Sequence, residues 1–113
     1  MKYAEILCDG RPCTKAGLAT SYFLRLRGLI GRDVAAMGGL WIHPCAQIHT
    51  CFMSCPIDVV YLTKELEVIK VDPAVPKGKF CAMVRHARSV LELPAGKAEE
   101  YGIRTGCRLE VKR

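Results

Sequence analysis

The sequence predicts one mostly β domain, built as a sandwich or barrel with little helix. Short apolar runs alternate with Gly and Pro along the chain, and no repeat or low-complexity tract interrupts them. Of the 113 residues, 50% are hydrophobic and 25% are charged, which is the balance of an ordinary globular protein. A chain of this length buries a core without the help of disulfides. We therefore expect a single domain over residues 1–113.

The predicted strands follow the apolar runs. Residues 4–8 form the first strand, and Asp9-Gly10 after it is a turn of the kind that closes hairpins. Residues 58–62, rich in β-branched and aromatic side chains, form a central strand. The remaining predicted strands are 39–43, 46–52, 66–71, 80–84, 89–93 and 109–111. Pro73, Pro76 and Gly78 mark residues 72–79 as a loop.

Two segments have the pattern of short helices. Thr20 or Ser21 can cap a helix over residues 20–32, which glycines then end. Its apolar face would hold Tyr22, Leu26, Leu29 and Ile30. A second helical piece is predicted over residues 97–101, before Gly102.

The seven cysteines are odd in number, and none are spaced Cys-x-x-Cys. This pattern favours reduced thiols in a cytoplasmic protein, several of them packed as small core hydrophobes. The N-terminus carries Glu5 where a signal peptide would be apolar, and no apolar run is long enough to span a bilayer. We therefore expect a cytoplasmic protein that does not associate with membranes and needs no disulfide to fold.

The net charge is +6, and the basic residues gather in three groups, Arg25, Arg27 and Arg32, then Lys77, Lys79, Arg85 and Arg88, and finally Arg108, Lys112 and Arg113. Such groups can attract an acidic partner, although a solvated surface explains them as well. The sequence has no recognition helix and no row of aromatics spaced for base stacking. We expect no specific nucleic-acid binding.

Four sequence blocks carry a family resemblance. They are Arg-Leu-Arg-Gly-Leu-Ile-Gly-Arg at 25–32, the central block at 44–62, Val-Leu-Glu-Leu-Pro-Ala-Gly at 90–96, and residues 102–106. In this order they resemble the domain-of-unknown-function family number 192 over nearly the whole chain. The resemblance implies a compact β-sandwich or jelly-roll-like barrel with one or two short helices. It implies no activity, because none is assigned to the family and fold alone supplies none.

The chain departs from the family pattern at three places. Thr63 and Cys107 each stand where the family usually has Asp, and Ser54-Cys55 replaces an Arg followed by an aromatic residue. The last change removes a cation beside the central block, so a role that depends on that cation is not expected here.

His49 and Asp58 are the strongest candidate site residues, because both interrupt apolar stretches. A buried polar group costs about 1 to 3 kcal/mol unless it is hydrogen-bonded, so each needs a partner. Arg27 can pair with Asp58, or with Glu92, and the arginines of 25–32 can instead form an anion-binding patch. We predict that Arg27, His49 and Asp58 meet around one concavity. A purely structural role for Asp58, in fixing its turn, remains open.

The segment 43–58 also holds two histidines and three cysteines, which suggests zinc or a nucleophilic thiol. Strand geometry opposes zinc, because Cys45 and His49 would lie about 13 Å apart on one face. Cys45 could act as a nucleophile only with a nearby base and a lowered thiol pKa. We expect no metal and no cofactor, and we include Cys45 among the ligand-binding candidates.

Three functional hypotheses follow. The first is a non-catalytic binding or accessory protein with a small polar pocket around His49, Asp58, Arg27 and Cys45, which would take an unknown small molecule or protein. The second is a small hydrolase-like enzyme that uses His49 and Asp58, with or without Cys45. The third is a protein-interaction module with a basic face. The sequence leaves open which applies, whether the protein is an enzyme, and its oligomeric state.

Overall fold

The computed structural model describes residues 1–50, 53 and 55–113. The described strands are β1 (Tyr3–Cys8), β2 (Arg11–Ala19), β3 (Leu40–Ile42), β4 (Ile57–Leu62), β5 (Val68–Val75), β6 (Ser89–Pro94) and β7 (Leu109–Lys112). The described helices are α1 (Tyr22–Arg27), α2 (Val34–Met37) and α3 (Lys97–Glu100). Within these ranges we find no helix with the length and apolar character needed to cross a membrane.

The strands form one mixed sheet that curls into a half-barrel, in the order β5-β4-β6-β3-β2-β1-β7. β2 and β3 are parallel, whereas the other neighbouring pairs are antiparallel. The mostly β fold class predicted from the sequence is confirmed. The helices described number three, one more than the family resemblance implied.

Both faces of the central strands are covered. On β4, Ile57, Val59 and Tyr61 pack towards α1, α2 and the segment after β3, whereas Val60 and Leu62 pack into the other core with α3. This alternation follows from the period of two along a strand. Since β4 and β6 are buried on both faces, their sequences are almost continuously apolar.

The structure differs from the predicted elements at one interior strand, at one edge strand and at a helix. β2 was not predicted, because its first half, residues 11–15, is polar and lacks a clear alternation. β5 continues through Pro73 into the predicted loop, which an edge strand tolerates because one side of its backbone needs no ladder partner. α2 was also not predicted. It ends at Gly38, whose φ of +86° and close approach to the Lys15 carbonyl exclude a side chain.

The strands predicted at 46–52 and 80–84 are wrong as sheet strands in the part of them that is described; residues 51 and 52 lie outside it. These segments pair with each other as an irregular ribbon, through hydrogen bonds from Cys81 N to Ile48 O (3.1 Å) and from Val84 N to Ala46 O (2.9 Å). Only His49 and Phe80 form a β-bridge. The ribbon lies over one face of the sheet instead of extending it.

Candidate functional site

Glu92 is an acidic residue at the centre of the sheet. It lies on β6 between Leu40 of β3 and Val59 of β4, and only 3% of its surface is exposed. Burial raises the pKa of its carboxyl to about 8, because desolvation disfavours the carboxylate. Its Oε1 is buried and has no hydrogen-bond partner among the described residues. Glu92 is therefore mostly protonated at neutral pH and retains unused hydrogen-bonding capacity.

A cavity of about 70 Å³ adjoins Glu92 on the face covered by α1. Its polar lining comes from Arg25 and Arg27 of α1 and from Cys45, Gln47 and His49 of the segment after β3. A wider cleft of about 340 Å³ shares Arg25, Cys45 and Gln47 with this cavity and extends to Tyr22 and Met83. The two adjoin at these shared residues, and together we call them the depression; Glu92 and Arg27 line the smaller one, and Arg25 lines both.

The arginine side of the depression is positioned by a short helix and a tight turn. Ser21 caps α1 by accepting a hydrogen bond from Leu24 N at 3.2 Å. After Gly28 the chain turns back, and Arg27 Nε donates to the carbonyl of Ile30 at 3.0 Å. Arg25 is half-buried, and its Nη1 lies 3.4 Å from the carbonyl of Pro44. Arg25 and Arg27 both line the cavity, and Arg27 itself remains exposed.

The opposite side is formed by the ribbon, which Thr50 holds together. The buried hydroxyl of Thr50 donates to Pro76 O at 2.6 Å and accepts from Lys79 N at 2.8 Å. Gln47 Nε2 adds a bond to Cys81 O at 2.9 Å. His49 is exposed, and its ring lies 5.8 Å from that of Phe80. The expectation that His49 is buried in an apolar strand is therefore wrong, although His49 is one of the residues that line the cavity.

Asp58 lies on the other face of the sheet. Its carboxylate is 1% exposed and accepts hydrogen bonds from the backbone N–H groups of Ala74 (2.8 Å), Gly96 (3.0 Å) and Ala98 (2.9 Å). The predicted ion pair with Arg27 is absent from the described residues, and Asp58 borders a different cleft, next to α3. The structure thus brings Arg27, Cys45 and His49 together and separates Asp58 from them. Ligand binding by these residues stays a prediction.

The thiol of Cys45 is placed for packing and hydrogen bonding. It donates to the Gln47 carbonyl at 3.2 Å, and burial raises its pKa. A raised pKa keeps the thiol protonated at neutral pH, which is the opposite of what a nucleophilic cysteine needs. With His49 and Asp58 on opposite faces, the hydrolase-like arrangement has no geometric support.

From the sequence, Glu92 was expected only as an ion-pair partner for Arg27. The available signal was a lone acid in the apolar run 90–93, which is the same signal that selected His49 and Asp58. Metal-ligand geometry appears elsewhere in the described residues, where Cys8, Asp9 and Cys107 converge near β7. The described histidines and cysteines of 43–58 form no such group; Cys51 lies outside the described residues.

Comparisons with known proteins agree with the fold. The family model of DUF192, described as Uncharacterized ACR, matches residues 6–111. No curated protein matches the chain significantly. Among solved structures, a protein described as a candidate transcription regulator from Sinorhizobium meliloti 1021 superposes with a TM-score of 0.83 and is 23% identical. That match covers 97% of this chain and 94% of the other.

A second similar structure is a protein of unknown function from Novosphingobium aromaticivorans DSM 12444. It has a TM-score of 0.79 and 17% identity, covering 96% of this chain and 83% of the other. At these identities the likeness supports the fold alone.

Proposed function

The chain belongs to the DUF192 family, and we propose that it is a non-catalytic binding domain whose ligand enters the depression above Glu92. The observation that carries this proposal is the buried carboxyl of Glu92, a residue that lines the cavity and whose Oε1 has no hydrogen-bond partner among the described residues. Buried polar groups in folded proteins are almost always hydrogen-bonded, so an unpartnered one calls for an explanation such as a bound ligand, ion or water. Its raised pKa supports the same interpretation.

The side chains around the depression indicate the ligand's chemistry. The unpartnered Oε1 of Glu92 can accept a hydrogen bond from a hydroxyl or an ammonium group, and an ammonium placed there also favours the ionised carboxylate. Arg25 and Arg27, which line the cavity, favour a carboxylate or another planar anion, which a guanidinium binds with two parallel hydrogen bonds. We therefore propose a small molecule with a donor at one end and an anion at the other, such as an α-amino or α-hydroxy acid. His49 and Cys45 would form a further part of the lining around this ligand.

A matched panel tests this ligand class. Wild-type protein would be titrated with an amino acid, the corresponding hydroxy acid, the corresponding simple amine and the corresponding carboxylate. Binding would be followed by calorimetry and by amide chemical shifts. We expect the bifunctional ligands to bind more tightly than either single-function analogue, with shifts concentrated at residues 25–30 and 45–49. Binding with equal strength by the simple carboxylate, or shifts centred elsewhere, would contradict the proposal.

Variants test which residue binds each end of the ligand. Glu92→Gln retains the shape of the side chain and should weaken an amine ligand by about 10-fold or more, since it removes a charge-assisted hydrogen bond worth about 1.5 to 3 kcal/mol. Arg27→Ala should weaken binding of ligands that carry the anionic end. Arg104→Ala, an exposed arginine outside the depression, is the matched control and should bind normally.

Protein interaction is a second candidate function, and the surface of α1 favours it. None of the residues of α1 is buried, and Tyr22, Phe23 and Leu26 are 66%, 79% and 62% exposed. Exposed apolar side chains grouped beside a cleft mark interaction surfaces. If the depression takes a polypeptide, Phe23→Ser should abolish binding while leaving small-ligand binding unchanged, because Phe23 does not line the cavity.

A further inference from the structure

Cys8, Asp9 and Cys107 converge at the β1–β7 edge of the sheet, away from the Glu92 depression. One ligand atom from each, two sulfurs and a carboxylate oxygen, lies within 4.8 Å of the others. Cys8 and Cys107 are 1% and 8% exposed, whereas Asp9 is open to solvent. Two of the three candidate ligands are therefore shielded from solvent, and the third is accessible to it.

The backbone holds this group in place. Cys8 ends β1, Asp9 forms the turn to β2, and Cys107 precedes β7. Asp9 N donates to Arg108 O at 2.9 Å, and Asp9 Oδ1 accepts from Arg108 N at 3.0 Å. Both buried thiols approach the carbonyl of Gly102, at 3.8 Å from Cys8 and 3.4 Å from Cys107. These hydrogen bonds therefore bring the backbone of Cys8, Asp9 and Cys107 together without an ion.

Cys13 offers a fourth ligand. It is half-buried on β2 and packs against the core cluster that contains Cys8 and Cys107, and its Sγ lies 4.0 Å from the Tyr101 carbonyl. A rotation of its side chain towards Cys8 would complete a set of three sulfurs and one oxygen. We propose that Cys8, Asp9, Cys13 and Cys107 bind a single Zn²⁺ ion.

The geometry and chemistry of the four side chains suit zinc. Zinc prefers four ligands in a tetrahedron, with Zn–S bonds of about 2.3 Å, which places sulfurs roughly 3.8 Å apart. Atoms already within 4.8 Å reach that spacing by side-chain adjustments of about 1 Å. Thiolates select soft or borderline ions over Mg²⁺ and Ca²⁺.

Binding exchanges protons for the ion. Zn²⁺ would form three Zn–S bonds and one Zn–O bond, and the three thiols would give up their protons to solvent as their sulfurs bind the ion. The product has a formal charge of −2, which Arg11 and Arg104 beside Asp9 offset.

This proposal contradicts the expectation of no metal, which rested on spacing within 43–58. Cys8 and Cys107 belong to opposite ends of the chain, so no local motif joins them. The proposal is independent of ligand binding at Glu92. Glu92→Gln should therefore leave zinc binding unchanged, and the two proposals can fail separately.

The test uses the full chain, reduced and treated with a chelator. Co²⁺, a spectroscopic substitute for zinc, should bind one per chain and give thiolate-to-metal charge-transfer absorption together with the visible bands of tetrahedral coordination. Zn²⁺ should displace it and release close to three protons per ion, measured with a pH indicator. X-ray absorption of the zinc form should count three sulfurs and one oxygen.

Substitutions locate the site. Cys8→Ser, Cys107→Ser and Cys13→Ser should each lower zinc affinity at least about 100-fold, since even outer-shell partners cost about 10- to 100-fold. Cys81→Ser, a half-buried thiol that packs on the other face of the sheet, is the matched control and should bind normally. If Cys8→Ser does not fold, the exposed Asp9→Asn still tests the site. Thiols that act only as core packing would give no charge-transfer absorption, and binding unaffected by Cys107→Ser and Asp9→Asn would place the metal elsewhere; either result overturns the proposal.

Discussion

Asp58 and Glu92 are two buried acids on neighbouring strands, and they differ in almost every other respect. Asp58 faces the core beneath α3, where three backbone N–H groups donate to its carboxylate. Glu92 faces the opposite side, where its Oε1 has no partner among the described residues. A fully hydrogen-bonded buried acid organises the chain around it, whereas an unsatisfied one is more useful for recognition.

The donors explain what Asp58 organises. Ala74 lies at the end of β5 with a positive φ of 48°, and Gly96 and Ala98 lie at the start of α3. Asp58 therefore fixes two irregular segments to the central strand β4. Glu92 fixes no segment through its Oε1, and the cover above it is made by α1 and the ribbon.

The largest expected effect is the loss of Asp58. Asp58→Ala should lower the free energy of unfolding by about 3 to 5 kcal/mol, because three backbone donors lose their acceptor inside the protein. Chemical denaturation measures it. Asp58→Asn, which retains one acceptor oxygen, should lower the free energy of unfolding by less than Asp58→Ala does.

The control for this prediction is Asp72→Ala. Asp72 is partly exposed and pairs with Lys70 at 3.5 Å, so its loss should cost less than about 1 kcal/mol. Equal losses for the two alanine variants would show that the Asp58 network contributes no more than a surface ion pair.

The sequence showed which residues are unusual but not what they contact. Continuous apolar runs predicted β4 and β6, because a short run of this kind is typical of a strand that is buried on both faces. The lone acids at 58 and 92 were visible within those runs. The partners of Asp58 come from residues 74, 96 and 98, and Cys107 meets Cys8 across nearly the whole chain. Such contacts depend on tertiary packing, which has no periodic signature in the sequence.

The next largest effect concerns the pH dependence of stability. The folded pKa of Glu92 is about 8, against an ordinary value of 4.5. Between these values the folded protein holds a proton that the unfolded chain releases, so stability falls as pH rises. The contribution of the Glu92 proton to the free energy of unfolding is fully present below about pH 4.5 and is lost as pH passes through about 8. Relative to Glu92→Gln, the wild type should lose roughly 2 to 3 kcal/mol between about pH 5 and pH 7.

This pH series is measured by denaturation of both proteins in matched buffers. The difference between wild type and Glu92→Gln isolates Glu92 from the histidines and other acids. A difference that stays constant from about pH 5 to pH 8 would mean that the Glu92 carboxyl ionises normally, and the contrast with Asp58 would then lose its basis.

The smallest expected effect is at Thr50, which holds the cover above Glu92. Thr50→Val keeps the volume of the side chain but removes the bonds to Pro76 O and Lys79 N. The free energy of unfolding should fall by about 1 to 2 kcal/mol, with exposed Thr105→Val as the control. A looser ribbon also admits water to Glu92, which lowers its pKa because less desolvation remains. The pH-dependent stability difference that Glu92→Gln reveals should therefore be smaller in the Thr50→Val background than in the wild type. If the pH-dependent stability difference is unchanged, the sheet itself, and not the ribbon, excludes water from Glu92.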